Sequence, residues 1–300
     1  DLLASPHDPL RPKMFPMRKT CRASTGVIRM FLAICVCLVI PRGASAIWST
    51  QFALPAPDSA VWALLPSGDT LVAGGIFDNI GAVPVRSVAL YDGANWHPLG
   101  SGIVGEVDAL VWWRGMLVAG GQFKQAGDEA AQNLAYWDGG AWHAFMAEVD
   151  GAVWALAVQN DDLVVGGSFT QAGAVTANNI ARWDGQAWSA YGEGFVGTVK
   201  PEDVPAVYAL ALWQGDLYAG GRFLSSGTES LRYIARWDGT AWGDLQGGMD
   251  APVRALCVFR GRLAAGGEFS NAGATITGDV AQWDGTTWKW FRAGSPTGFV

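Results

Sequence analysis

The chain has 300 residues, half of them hydrophobic, with 40 glycines, 16 tryptophans and only 16% charged side chains, and its formal net charge is −7. The acidic balance excludes the basic surface that nucleic acids and anionic membranes require. The glycine and tryptophan content suits short strands, tight turns and large packed rings better than helices.

Residues 1–13 lack an initiating Met and are assigned no structural role, with Met14 and Met17 as candidate starts. Arg18, Lys19, Arg22 and Arg29 precede an apolar run from Met30 to Ile40, followed by the small residues Ala44, Ser45 and Ala46. This order of charge, apolar run and small residues predicts a secretory signal over residues 1–46, cleaved after Ala46. The run falls short of the roughly 20 residues that span a bilayer. Residues 47–300 then form the exported domain, expected outside the cell, on its surface or in a periplasm. Without residues 1–46, 13 basic and 25 acidic side chains remain, a net charge of −12. Of the four cysteines only Cys257 lies past the signal, and VRALCV marks it as a small core residue.

Beyond Trp48 one stretch is written five times, beginning at Val61, Val107, Val153, Val207 and Val253, with spacings of 46, 46, 54 and 46 residues. Phe77, Phe123, Phe169, Phe223 and Phe269 keep the same register, as do Asp92, Asp138, Asp184, Asp238 and Asp284. A period of this length means an array of one supersecondary unit. In the copy from Val153 to Trp188, Val153–Val158 alternates as a first strand and Leu163–Phe169 follows as a second. After a loop centred on Gly173, Asn179–Trp183 is a third strand, and Asp184-Gly185 is a tight turn into a fourth at Trp188. The glycine pairs Gly74-Gly75, Gly120-Gly121, Gly166-Gly167, Gly220-Gly221 and Gly266-Gly267 recur inside the second strand, where glycine weakens a strand unless something must approach closely. Four antiparallel strands per repeat predict an all-β fold, the β-propeller, with blades at about 61–106, 107–152, 153–206, 207–252 and 253–298. An open β-solenoid is the alternative.

The double glycine on the second strand, the aromatic-Asp pair on the third and the Trp on the fourth resemble the kelch repeat. The form AGG-x-F, AG, IARWDG, W is closer still to repeats of Rax2-like cell-surface proteins and their secreted bacterial relatives. Asp-Gly replaces the longer Asp-Pro turn of standard kelch units, and the Gly-His partner of WD40 repeats is missing. The resemblance implies a propeller of the galactose oxidase and kelch type. That oxidase's copper ligand set of Cys, Tyr and His has no assembled counterpart, so no cofactor is expected.

Ile47 to Leu54 has the Trp and spacing of an orphan outer strand, and the fifth copy already owns Trp288. A propeller of six or more blades is therefore expected, its remainder encoded past Val300.

The five copies serve as an internal comparison in which residues common to all belong to the scaffold. On that basis Trp96, Trp142, Trp188, Trp242 and Trp288 are structural, as are Trp137, Trp183, Trp237 and Trp283, and the repeated Asp is a turn former. His97 and His143 follow the fourth-strand Trp of separate blades, which argues against a shared metal site. There is no HExxH, GxSxG or phosphate loop. What departs from the pattern is the connection from Tyr191 to Ala206, eight residues longer than its counterparts, with Phe195, Lys200, Glu202 and Asp203 as binding candidates. On the opposite face, Trp113, Trp213 and Phe259 occupy first-to-second strand turns, where they either stack on a ligand or cap the core. The function expected is that of a non-catalytic binding or scaffolding module for a protein or glycan. The alternatives are a carbohydrate-active enzyme using acids such as Glu193, Glu202 and Asp203, and a structural ectodomain anchored by sequence beyond Val300.

Overall fold

A computed structural model of the chain describes residues 55–145 and 148–291. Every regular element among them is a strand. Five antiparallel sheets form five blades arranged in a ring, each with its four main strands in sequence order from the axis outwards. The inner strands are Val61–Ser67, Ile103–Trp113, Ala152–Gln159, Ala206–Trp213 and Val253–Phe259. Each is followed by a second strand bearing the glycine pair, a third ending at the aromatic residue before the repeated Asp, and an outer strand opening on the repeated Trp. The outer strand expected at Ile47 to Leu54 lies outside the described residues, and the expectation of six or more blades is corrected: the described strands form a ring of five.

The glycine pair is explained by two close approaches. A Cβ on Gly74, Gly166 or Gly220 would sit 2.6, 2.7 and 2.6 Å from Cγ1 of Val107, Val207 and Val253 in the next blade, and Gly120 meets Val153 in the same way. The second glycine of each pair faces a carbonyl within its own inner strand or just before it, that of Ala60, Glu106, Ala152, Ala206 or Pro252. The first glycine therefore sets the spacing between blades and the second sets the spacing within one. Val107, Val153, Val207 and Val253 are fully buried as a result. Val61 is half-buried, so the seam between the fifth and first blades is packed differently from the other four.

The Asp-Gly turns form as expected. Asp92, Asp138, Asp184, Asp238 and Asp284 each accept backbone N–H bonds through Oδ1 from the residues two and three positions on. The glycines that follow hold φ between +98° and +107°, a region closed to most side chains. At the rim, Trp142, Trp242 and Trp288 donate their indole N–H to the carbonyls of Leu99, Tyr191 and Leu245 in the connection leading into their blades. Trp96 Nε1 is buried with no hydrogen-bond partner among the described residues.

The segments read as loops between second and third strands contain short hairpins, such as Gln171–Ala172 with Val175–Thr176 and Asn271–Ala272 with Thr275–Ile276. Two-residue strands are too short to show a period, so the sequence pattern does not reveal them. Isolated bridges tie these hairpins to the connections between blades, at Pro57 with Ile80, Val149 with Ala172, Val196 with Ser225 and Met249 with Ala272. Both sets of long segments thus share one face of the ring.

Candidate functional site

Each inner strand contains a β-bulge at the same place. Val153 pairs with Gly167 and Ala155 with Gly166, leaving Trp154 as the extra residue, and the same irregularity recurs at Trp62, Asp108, Tyr208 and Arg254. A bulge takes a residue out of strand alternation and re-aims its side chain. Here all five residues line one cavity of about 240 Å3 around the axis, floored by the alanine and leucine that follow each of them. Trp62, Asp108, Trp154, Tyr208 and Arg254 also line a contiguous space of about 260 Å3 with Glu106 and Gln122, which precede or flank them on the strands. That space opens where the inner strands begin, on the face of the long connections.

The five positions are flanked by a second variable set, the residue between the glycine pair and the repeated Phe: Ile76, Gln122, Ser168, Arg222 and Glu268. The two sets interact. Arg254 Nη2 lies 2.7 Å from Glu268 Oε1, and its guanidinium carbon is 4.2 Å from the Tyr208 ring centroid. The Trp154 and Tyr208 rings are 5.0 Å apart, tilted by 38°. Gln122 Nε2 donates to Glu106 Oε2 at 3.3 Å. Trp62 Nε1 is buried without a hydrogen-bond partner among the described residues.

The long connection from Tyr191 to Ala206 meets the second variable set at two residues, Ser168, whose Oγ donates to the Pro205 carbonyl at 3.3 Å, and Arg222. Arg222 donates from Nε to the Val204 carbonyl at 3.0 Å and from Nη1 to Asp203 at 3.1 Å, and its guanidinium carbon is 6.0 Å from the Tyr208 ring. Asp203 therefore meets the second variable set, but neither it nor Arg222 lines the two axial spaces. Lys200 and Glu202 are exposed on the outer part of the connection. Phe195 is fully buried and stacks on Phe223 at 4.1 Å, so it is a core residue and presents no contact surface. Glu193 lines a separate space beside Trp242 and Glu229, away from the axis.

The opposite face carries fewer exposed rings than its sequence suggests. Trp113 and Trp213 are each 5% exposed and donate their indole N–H to the carbonyls of Asp161 and Gly261 in the next blade's turn, at 2.8 and 3.0 Å. Both rings stitch adjacent blades together. Phe259 is half-buried and packs against Phe291, with ring centroids 5.5 Å apart.

The histidines pair within their own blades. His97 Nε2 lies 2.7 Å from Asp92, and His143 bridges Asp138 at 3.0 Å and Glu129 at 3.2 Å. The hydrogen bond to Asp138 raises the His143 pKa, while backbone N–H groups of Ala141 and Gly140, with His143, hold Asp138 down at about 2. Among the described residues no group of three or more His, Cys, Asp or Glu is placed to hold a metal ion.

The sequence comparison missed the axial residues because it sought departures in loops, where binding residues usually lie. The available signal was the variation of a single position, V-x-A, inside an otherwise repeated strand: Trp62, Asp108, Trp154, Tyr208 and Arg254.

No helix among the described residues is long and apolar enough to cross a membrane. No family model matches the chain, and the likeness to kelch and Rax2-like repeats remains one of repeat pattern. No curated protein matches it either. A similar solved structure is the extracellular domain of the B. thetaiotaomicron protein BT4673, described as a one-component system, with 12% identity and a TM-score of 0.49. The match covers 77% of this chain and 27% of that one, so this chain spans about a quarter of its length.

Proposed function

We propose that the chain is a secreted or surface-displayed binding module that receives a protein or glycan at the axial mouth on the long-connection face. One observation carries this reading. Trp62, Asp108, Trp154, Tyr208 and Arg254 hold the same place in five copies and differ in chemistry, yet all line one cavity. A scaffold position tends to repeat its residue, as the neighbouring Val and Gly do, whereas a contact position follows its partner. Aromatic and Arg side chains in a central depression are also the usual carriers of binding energy.

The reading is tested by binding of the full chain to immobilised glycans and to cell-surface proteins, with Trp62→Ala/Trp154→Ala and a deletion of residues 197–204 compared with the parent chain. Loss of binding in the double variant supports the axial mouth. Unchanged binding moves the site elsewhere, and loss in the deletion alone moves it to the long connection.

A second reading, hydrolysis of a bound glycan, is favoured by Glu106 and Asp108 sharing the mouth. It requires that Asp108→Asn leave binding intact while abolishing release of sugar.

A further inference from the structure

Building on the binding-module reading, we infer that the axial mouth takes the terminal ring or two of a neutral saccharide. Size limits the ligand first. The cavity of about 240 Å3 and the contiguous space of about 260 Å3 above it together reach only the lower part of the roughly 300–1,000 Å3 of pockets that enclose drug-sized molecules. They suit the terminal ring or two of a longer ligand, with the rest outside.

Charge limits it next. Glu106 and Asp108 at the mouth, on a chain whose segment past the signal carries a net charge of −12, disfavour an anion. A cation would seek an aromatic face beside those acids. The Tyr208 face is already taken by Arg254, which lies 4.2 Å from the ring centroid and is held there by Glu268. Arg254 also adds positive charge to the lining itself. A neutral ligand is what these two constraints leave.

Polarity completes the identification. The lining alternates apolar rings with acceptors and donors: the carboxylates of Glu106 and Asp108, the guanidinium of Arg254, the amide of Gln122 and the buried indole N–H of Trp62. Each sugar hydroxyl both donates and accepts, and a pyranose presents a C–H face that lies flat on an indole. Trp154, half-buried beside Tyr208 with the ring centroids 5.0 Å apart, offers such a face at the edge of the cavity, the Tyr208 ring itself being covered by Arg254.

The test uses the full chain on an array of neutral mono- to tetrasaccharides in gluco, galacto and manno configurations, with sialylated and amino sugars as charged counterparts. Hits are titrated by tryptophan fluorescence. A neutral sugar is expected to bind, Trp154→Ala to weaken it about 10- to 100-fold, and Trp154→Phe to retain affinity within a few-fold. Matched near-ultraviolet circular dichroism checks that each variant is folded, and Gln122→Ala, at an exposed position, provides a second lining variant. Preference for a charged sugar, or unchanged affinity in both Trp154→Ala and Gln122→Ala, overturns the inference. A blank array together with a protein interaction lost in Trp154→Ala overturns the saccharide and leaves the binding module standing. Loss of neither interaction overturns both.

Discussion

The guanidinium of Arg254 rests on the ring of Tyr208 at 4.2 Å, although the two residues occupy the same position of consecutive repeats. Their chemistry is complementary, whereas the valine before each and the alanine after each are the same. Arg254→Met removes a cation–π contact and a partly exposed ion pair with Glu268. Its effect on stability is expected to stay within about 1–2 kcal/mol in urea unfolding, while ligand binding at the mouth falls by more than that loss explains. Equal losses in stability and binding would reduce Arg254 to a scaffold residue.

Gly166 and Gly139 separate the two uses of glycine. A Cβ at Gly166 meets Val207 Cγ1 at 2.7 Å, whereas Gly139 has open space but a φ of +105°. Gly166→Ala is expected to cost about 1–3 kcal/mol through overpacking and to be partly rescued by Val207→Ala, a coupling that a double-mutant cycle reads directly. Gly139→Ala should cost about 1–2 kcal/mol from backbone strain alone, with no rescue by any neighbour.

Trp142 donates its indole N–H to the Leu99 carbonyl in the connection that leads into its blade. Trp142→Phe forfeits that bond and some ring volume and leaves the carbonyl without its donor, and is expected to cost about 1–3 kcal/mol, measured by denaturant midpoints at equal m. An unchanged midpoint would contradict it.

Phe195 and Lys200 belong to one connection and should behave oppositely. Phe195→Ala empties a fully buried site beside Phe223 and is expected to cost about 3–5 kcal/mol. Lys200→Ala, at an exposed position, should stay within about 0.5 kcal/mol.

Asp138 and His143 give stability opposite dependences on pH. Asp138 is lowered from 3.8 to about 2 in the folded chain, so its contribution is present above the ordinary carboxylate range and lost as pH falls towards 2. The pKa of His143 is raised from 6.5, so its contribution is full below that value and lost as pH rises through the higher folded pKa. The melting temperature of His143→Gln should therefore lie furthest below the parent's on the acid side of neutrality and approach it in mild alkali. A gap that widens with rising pH would reverse the assignment.

The architecture could be read from the chain because it rests on local chemistry repeated five times. Asp-Gly dictates a turn through the φ of its glycine, and Gly-Gly before Phe declares a close approach; both carry their reason in adjacent residues. Phe195, Trp113 and Trp213 show where such reading stops. All three stand out in the sequence as departures or as turn aromatics, and all three are buried, because whether a ring meets solvent depends on the neighbouring blade and its free carbonyls. The axial site was hidden for the same reason. Trp62, Asp108, Trp154, Tyr208 and Arg254 are separated by some 46 to 54 residues, and nothing local to any one of them says that the others are near. The repeat by itself determined the blade, its turns and its glycine spacing. Only the closing of the blades about an axis, with a bulge turning one residue of each inner strand inwards, decided that five unlike side chains share one mouth.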